Sequence, residues 1–194
     1  EKDQVLTDLL AQAAQLSDPA ARLAIYTEAN NEIADFVPMI PIAHGGNATA
    51  FKASIAGAYS GAFAGEQFRV MEDPADDNII FMQNAEPISL YCNDESDGET
   101  FRACEQINES LLGFELGGGN VVPALATEWS ASEDLTEWTF TLRQGVKFSD
   151  GSDFNAEDVL VSWVAMWDAS SPLHTGRTGA WDYFGALFGG FLNA

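Results

Sequence analysis

The stretch EWTFTLRQGVKFSDGSDF, residues 137–154, most constrains what this chain can become. Trp138, Phe140 and Leu142 alternate with Thr139, Thr141 and Arg143, which sets three large apolar side chains on one face of a strand and polar ones on the other. A strand of that kind needs a ladder partner and a core beneath one face. The spacing predicts strand, turn and strand, and NAEDVLVSWVAMWD (155–168) then predicts a helix. Asn155 is placed to cap it, and acids fill its first turn, where the helix dipole favours them.

The rest of the chain fills in a mixed architecture. Val5, Leu6, Leu9, Leu10, Ala13 and Leu16 fall on one face of a helix over residues 3–16. A second helix follows with Ser17 or Asp18 as cap, a proline in its first turn, and a stripe through Leu23, Tyr26, Ala29/Asn30 and Ile33. Pro38 ends that helix, and FVPMIPIAHGG (36–46) reads as a short closing strand that Pro41 confines to a sheet edge or a bulge. Residues 53–66, rich in Gly, Ala and Ser, read as loop, and FRVMED as a short strand. DPADDN (73–78) is a charged, turn-prone break and the expected linker.

Beyond the break, NIIFMQ (78–83) is expected to be a buried strand. GETFRACEQINESLLGF (98–114) is expected to be a helix turning Phe101, Cys104, Ile107, Leu111 and Leu112 to the core. Residues 117–132 suggest a turn, a short helix and a strand. The class is α/β, in the sense of an α+β mixed sheet, without an internal repeat.

Charge excludes whole classes of partner. Thirty acidic residues against eight basic give a formal net charge of −22, and binding to nucleic acid or anionic lipid depends on the Lys and Arg that are scarce here. Apolar residues make up 46%, with 13 Phe and 5 Trp, so a packed core is expected; the series Trp129, Trp138, Phe140, Phe148, Trp163 and Trp167 is most simply that core. There is no uninterrupted apolar run of membrane-spanning length. EKDQVLTDLL lacks the basic start and apolar centre of a signal peptide, which implies an intracellular chain or one whose targeting segment has been removed.

Sites of chemistry are sparse. The sequence holds no GxSxG, no HExxH and no phosphate loop, since GGGN (117–120) lacks the Lys-Ser/Thr that would follow; no enzyme is expected. Cys92 and Cys104 form either a disulfide, in an oxidising compartment, or a reduced buried pair, and with only His44 and His174 available they do not suggest zinc. In NDESDGET, Asn93, Glu95 and Asp97 with Gly98 follow the start of a calcium loop, but Cys104 stands where its bidentate glutamate belongs. The Asn93–Glu99 segment therefore reads as a solvated acidic loop leading into a helix, with a looser calcium site as the alternative; no cofactor is expected.

Residues 137–163, EWTFTLRQGVKFSDGSDFNAEDVLVSW, resemble the hallmark segment of the family 5 extracellular solute-binding proteins, the peptide, dipeptide and nickel-type receptors of ABC importers. FMQNAEPISL, FRACEQINESLLGFE and VVPALATEWSAS resemble the opening part of the family's first lobe, in order, with Asn108-Glu109-Ser110-Leu111 where members have Tyr/Phe-Glu-Gly-Leu. DPAARLAIYTEANNEIADFVPMIPIAH is similar to the family's last helical hairpin and closing strand, here placed first.

The resemblance implies one lobe of a type II periplasmic-binding-protein fold, circularly permuted. Residues 1–72 would be the closing piece, 73–78 the linker and 79–194 the opening piece of a single domain. It further implies an extracellular or periplasmic, cell-surface-associated receptor that binds a small peptide or other solute between two lobes and delivers it to an ABC permease, the missing lobe coming from elsewhere or from another copy. The ligand-facing positions would be His44, Gly45 and Asn47; Glu95, Ser96, Asp97 and Gly98; and Leu173 and His174. The strand near Ile40–Ala43 should then pair in one sheet with that near Ile79–Met82. The alternative is an extracellular self-assembling protein that uses the exposed cleft face and the Gly-Ala-rich segment 53–65.

Overall fold

A computed structural model describes residues 2–38, 40, 42–43, 48–59 and 65–194. The chain forms two compact units: Glu1–Ala48 with Trp129–Thr139, and Thr49–Glu128 with Phe140–Ala194.

In the first unit, helices α1 (Lys2–Ala14) and α2 (Pro19–Phe36) pack together. Asp18 caps α2 by accepting from the amides of Ala20 and Ala21 at 3.3 and 3.0 Å, with Pro19 at the first position, where its missing N–H costs nothing. The helix stops at Val37, whose left-handed φ of 51° turns its N–H back to Ile33 O. Leu9, Ala13 and Ala29 are buried, whereas Leu23, Tyr26 and Ile33 of the expected stripe lie exposed. The unit also takes in the tip of the hairpin made by β3 (Ala126–Ala131) and β4 (Trp138–Leu142). There Asp134 Oδ1 accepts from the hydroxyls of Ser132 and Thr136 and closes the turn.

The second unit is built around α3 (Gly98–Ile107), α4 (Ala156–Trp167) and α5 (Asp182–Phe188). Asp97 caps α3 through Thr100 N at 2.9 Å. Asn155 caps α4 in a reciprocal box, its Oδ1 accepting from Glu157 N at 2.7 Å and Asp158 Oδ2 accepting from Asn155 N at 2.8 Å. The Phe-rich tail folds back on α4. Phe184 and Phe188 meet Trp163 edge-on at 6.0 and 5.4 Å, and Leu192 N donates to Trp167 O at 2.9 Å. Strands β1 (Leu112–Phe114) and β2 (Val121–Pro123) pair antiparallel, Gly113 opposite Val122.

Several expectations are corrected. The mixed sheet is absent among the described residues, which hold two separate two-stranded pairs. Neither Ile40 and Ile42–Ala43 nor 79–83 is in a strand. The physical reason is that an apolar run becomes a strand only where a ladder partner lies alongside, and 79–83 make no backbone–backbone hydrogen bond among the described residues. Met39, Pro41 and residues 44–47 lie outside the described residues. FRVMED is a 3-10 turn at Phe68–Val70 followed by one isolated bridge, Ala56 with Glu72. The helix from 98 ends at Ile107, leaving Ile107 exposed and freeing Leu112 for β1, and the short helix expected before β3 is the strand β2. After β4, the second strand shrinks to the bridge between Lys147 and Asp153.

Cys92 and Cys104, left open between disulfide and thiols, are joined, with Cα atoms 6.0 Å apart. The bond ties the turn Cys92–Asp94 to α3. A Cys92→Ser/Cys104→Ser variant is expected to lose roughly 3 kcal/mol from the second unit, since the closed loop is short. Urea unfolding monitored by Trp fluorescence checks this, and an unchanged midpoint would refute it.

Candidate functional site

The structure brings the acidic loop 92–98 against the segment 173–181, both within the second unit. The join is electrostatic. The Asp94 side chain is buried, and its Oδ1 accepts from Thr178 Oγ1 at 2.7 Å and Trp181 N at 2.9 Å, while Oδ2 accepts from Thr178 N at 2.7 Å and Gly179 N at 2.9 Å. Burial alone would push the Asp94 carboxyl up. The hydrogen bonds from Trp181, Thr178 and Gly179 outweigh it and bring the pKa down to about 2 from an ordinary 3.8.

Next to it, the Glu95 carboxylate, 1% exposed, takes a two-pronged pair from Arg177, whose Nε and Nη2 donate at 2.8 and 2.7 Å. That arginine holds the Glu95 carboxyl below its usual range.

The 173–181 segment is shaped to fit. A Cβ at Gly176 would run into the Asp94 carboxylate, so a side chain is excluded there. Trp181 is fully buried with φ at 51°, a left-handed conformation that costs a bulky residue about 1–3 kcal/mol and survives only where its surroundings impose it. Its ring stacks on His174 at 4.8 Å and meets Tyr91 edge-on at 5.8 Å. The His174 Nδ1 lies 3.0 Å from Ala165 O, and because a carbonyl can only accept, Nδ1 is the donor in this contact and the ring is held in one orientation. Tyr91 Oη reaches Leu173 O at 3.5 Å.

Of the positions singled out by sequence, Glu95, Leu173 and His174 are drawn into this constellation, and Ser96 and Gly98 stand exposed at its edge. Asp97 serves α3: its Oδ1 takes Thr100 N, and its Oδ2 is buried without a partner among the described residues, as is Trp181 Nε1. His44, Gly45 and Asn47 lie outside the described residues. Among the described residues no group of three or more His, Cys, Asp or Glu is placed to hold a metal ion. Sequence reasoning missed Asp94, Arg177, Thr178 and Trp181, because nothing local in TGRTGAW marks it as the partner of an aspartate 84 residues away.

Elsewhere in the same unit an open groove of about 680 Å³ is lined by Phe68, Phe81, Met82, Gln83, Glu86 and Arg102, among others. Its arginine is already engaged, with Nε donating to the buried Glu66 at 2.8 Å and the guanidinium 5.3 Å from the Phe81 ring.

Two outcomes follow from the charges. Because folding lowers the pKa of Asp94, its stabilisation is complete above 3.8 and is lost as pH falls towards about 2. In Asp94→Asn the dependence of urea stability on pH should flatten across that window, and an unchanged slope would contradict the role assigned to Asp94. Arg177→Ala should lower the melting temperature more than Arg143→Ala, because Glu95 would be left buried and unpaired whereas Glu109, the partner of Arg143, is 46% exposed. Equal losses in a thermal melt would count against it.

Comparison with known proteins bears on these same residues. The family model of the bacterial extracellular solute-binding proteins, family 5 Middle, matches residues 120–180, which take in β2, β3, β4, α4 and the segment from Leu173 to Gly179. The heme-binding protein A of Haemophilus influenzae is 36% identical over 98 residues, 47% of this chain and 18% of that protein. The dipeptide-binding protein of Escherichia coli is 33% identical over 112 residues, 49% of this chain and 21% of that one. A crystal structure of a dipeptide-binding protein from Pseudoalteromonas sp. SM9913, in complex with Met-Leu, aligns with a TM-score of 0.48 and 29% identity over 53% of this chain and 22% of that one. The chain thus spans about a fifth of the length of the curated relatives it matches. Through the segment 120–180, the chain is similar to the family 5 extracellular solute-binding proteins.

Proposed function

We propose that the full-length protein is an extracellular or periplasmic receptor that binds a small peptide in a cleft between two lobes and delivers it to an ABC permease. In this reading residues 79–194 contribute part of the first lobe, of the type II periplasmic-binding-protein kind. The observation that carries it is the family match over 120–180, which includes Arg177, Thr178 and Gly179 of the loop that Asp94 and Glu95 hold in place. The peptide class is supported by relatives named for dipeptides and for di- and tripeptides. The heme-named relative argues only that the solute differs among such proteins. No helix of the described residues is long and apolar enough to cross a membrane.

The geometry refines which residues would meet solute. The Glu95 carboxylate is committed to Arg177, so the exposed Ser96 and Gly98 are the better candidates on that loop, with Glu95 and Asp97 holding its shape. On the facing loop, Leu173 offers apolar surface and the His174 imidazole a hydrogen-bonding group for a peptide. His44, Gly45 and Asn47 stay in the proposal through the resemblance alone. So does the segment order, with 1–72 as closing piece, 73–78 as linker and 79–194 as opening piece of one permuted domain.

A second reading, an extracellular self-assembling protein derived from such a lobe, is favoured by bare apolar side chains: Ile42 is 94%, Ile80 95% and Met82 90% exposed. Light scattering on the 194-residue chain separates the two, a monomer arguing against assembly and a polymer against a receptor. For the receptor, calorimetry of the full-length protein against a dipeptide library should give heat of binding that His174→Ala weakens about tenfold, the cost of one lost hydrogen bond to a charged group. No heat at millimolar peptide would sink it.

A further inference from the structure

We propose that Asp94 is a positioning residue of the solute-binding surface, an anion that touches no solute and sets the conformation of residues 173–181 so that Leu173 and His174 are presented in one fixed arrangement. This rests on the receptor reading, which supplies the solute, but its structural core stands apart from it.

Four observations converge on the Asp94 carboxylate. It accepts four hydrogen bonds, all from Thr178, Gly179 and Trp181, so a single side chain dictates the path of that backbone. The segment gives way to it at Gly176, where no Cβ fits against the carboxylate. Its last donor, Trp181 N, belongs to a residue in the left-handed region, a conformation that needs an imposed partner. From Trp181 the constraint passes to His174, because the two rings stack at 4.8 Å while Nδ1 is tied to Ala165 O.

Asp94 itself has little freedom to move. Cys92, two residues before it, is bonded to Cys104 of α3, Glu95 after it is gripped by Arg177, and Asp97 caps α3. A carboxylate fixed on one side by a disulfide and a helix, and bonded on the other to three loop amides and a hydroxyl, transmits position rather than merely adding cohesion. The Asp94 side chain is also buried, which leaves solute no direct path to it.

Amide hydrogen exchange and binding of the dipeptide Met-Leu, both on the full-length protein, test the proposal through Asp94→Asn and the milder Thr178→Val. The Asp94→Asn substitution keeps the shape of the side chain but removes its charge and turns an NH2 group toward the amide donors. The expected result is about tenfold faster exchange at Thr178, Gly179 and Trp181 in Asp94→Asn, with amides of α3 such as Phe101 and Cys104 unchanged, and a smaller effect of the same pattern in Thr178→Val. Dipeptide affinity should fall in the same order, and Asp94→Glu should fail to restore it, since the longer side chain misplaces the carboxylate.

Uniformly faster exchange across the whole second unit in both variants would overturn the proposal, because Asp94 would then be a stability element only. Unchanged exchange at the three amides would overturn it as well. If the wild-type protein binds no dipeptide while exchange changes as expected, the receptor reading falls and the control of the 173–181 conformation by Asp94 stands.

Discussion

A carboxylate buried without compensation is among the least tolerable groups in a folded chain, and the Asp94 side chain is buried in the middle of the site. The usual remedy is a cation, yet this sequence has eight basic residues for thirty acidic ones. Two of its arginines are committed to other buried carboxylates, Arg102 to Glu66 and Arg177 to Glu95. Asp94 is matched instead by peptide N–H groups and a threonine hydroxyl. The difference matters for structure. An arginine on a flexible stem can follow its partner, whereas backbone donors can satisfy a carboxylate only if the chain itself adopts one path. Scarcity of cations is thereby converted into a defined loop conformation.

That loop is backed by aromatic packing. The stack of His174 on Trp181 continues through Phe191, 5.2 Å from His174, to Phe184 and then to Trp163 and Trp167 on α4. The tail residues thus serve as the floor under 173–181, and the bridge between Asp168 and Leu192, with Asn193 donating to Asp168, pins that floor to the end of α4. On the other side of α3, Arg102 and Gln106 hold the 66–68 backbone and the buried Glu66, so α3 is the element that both halves of the unit use. A rigid scaffold with its distinctive residues on loops suits recognition, because the ordering entropy has been met in folding rather than at binding.

How much of this was legible depends on the distance over which each feature is decided. The helices were legible because their signals are local: Asp18 before Pro19, Asp97 three residues before Thr100, and the reciprocal pair of Asn155 and Asp158 each act within one turn. The hairpin turn at Ser132–Thr136 is closed by equally local bonds to Asp134. The acidic run leading into α3 was expected to be solvated, and Asp97 caps the helix, but Asp94 and Glu95 in the same run are buried and turn away to residues more than eighty positions later. Nothing in NDESDGET distinguishes the three, because their fates are set by which backbone amides and which arginine the fold brings near. The same limit applied to the disulfide, where two cysteines twelve apart were compatible with either state.

The segment 79–83 shows where local information stops. Its side chains alternate, Ile79, Phe81 and Gln83 partly buried and Ile80 and Met82 exposed, where a buried run was expected. Phe81 finds partners in Phe51, Phe68 and the Arg102 guanidinium, so one face is decided. The backbone nevertheless joins no ladder among the described residues, and the other face carries two of the most exposed apolar side chains among them. Side-chain direction follows from period alone, whereas strand identity is a property of a pair. A bare Ile80 and Met82 beside N–H and C=O groups outside any ladder have both parts of an unsatisfied sheet edge. Covering them would bury apolar area and complete ladder hydrogen bonds together, and both gains favour pairing with another strand at this edge.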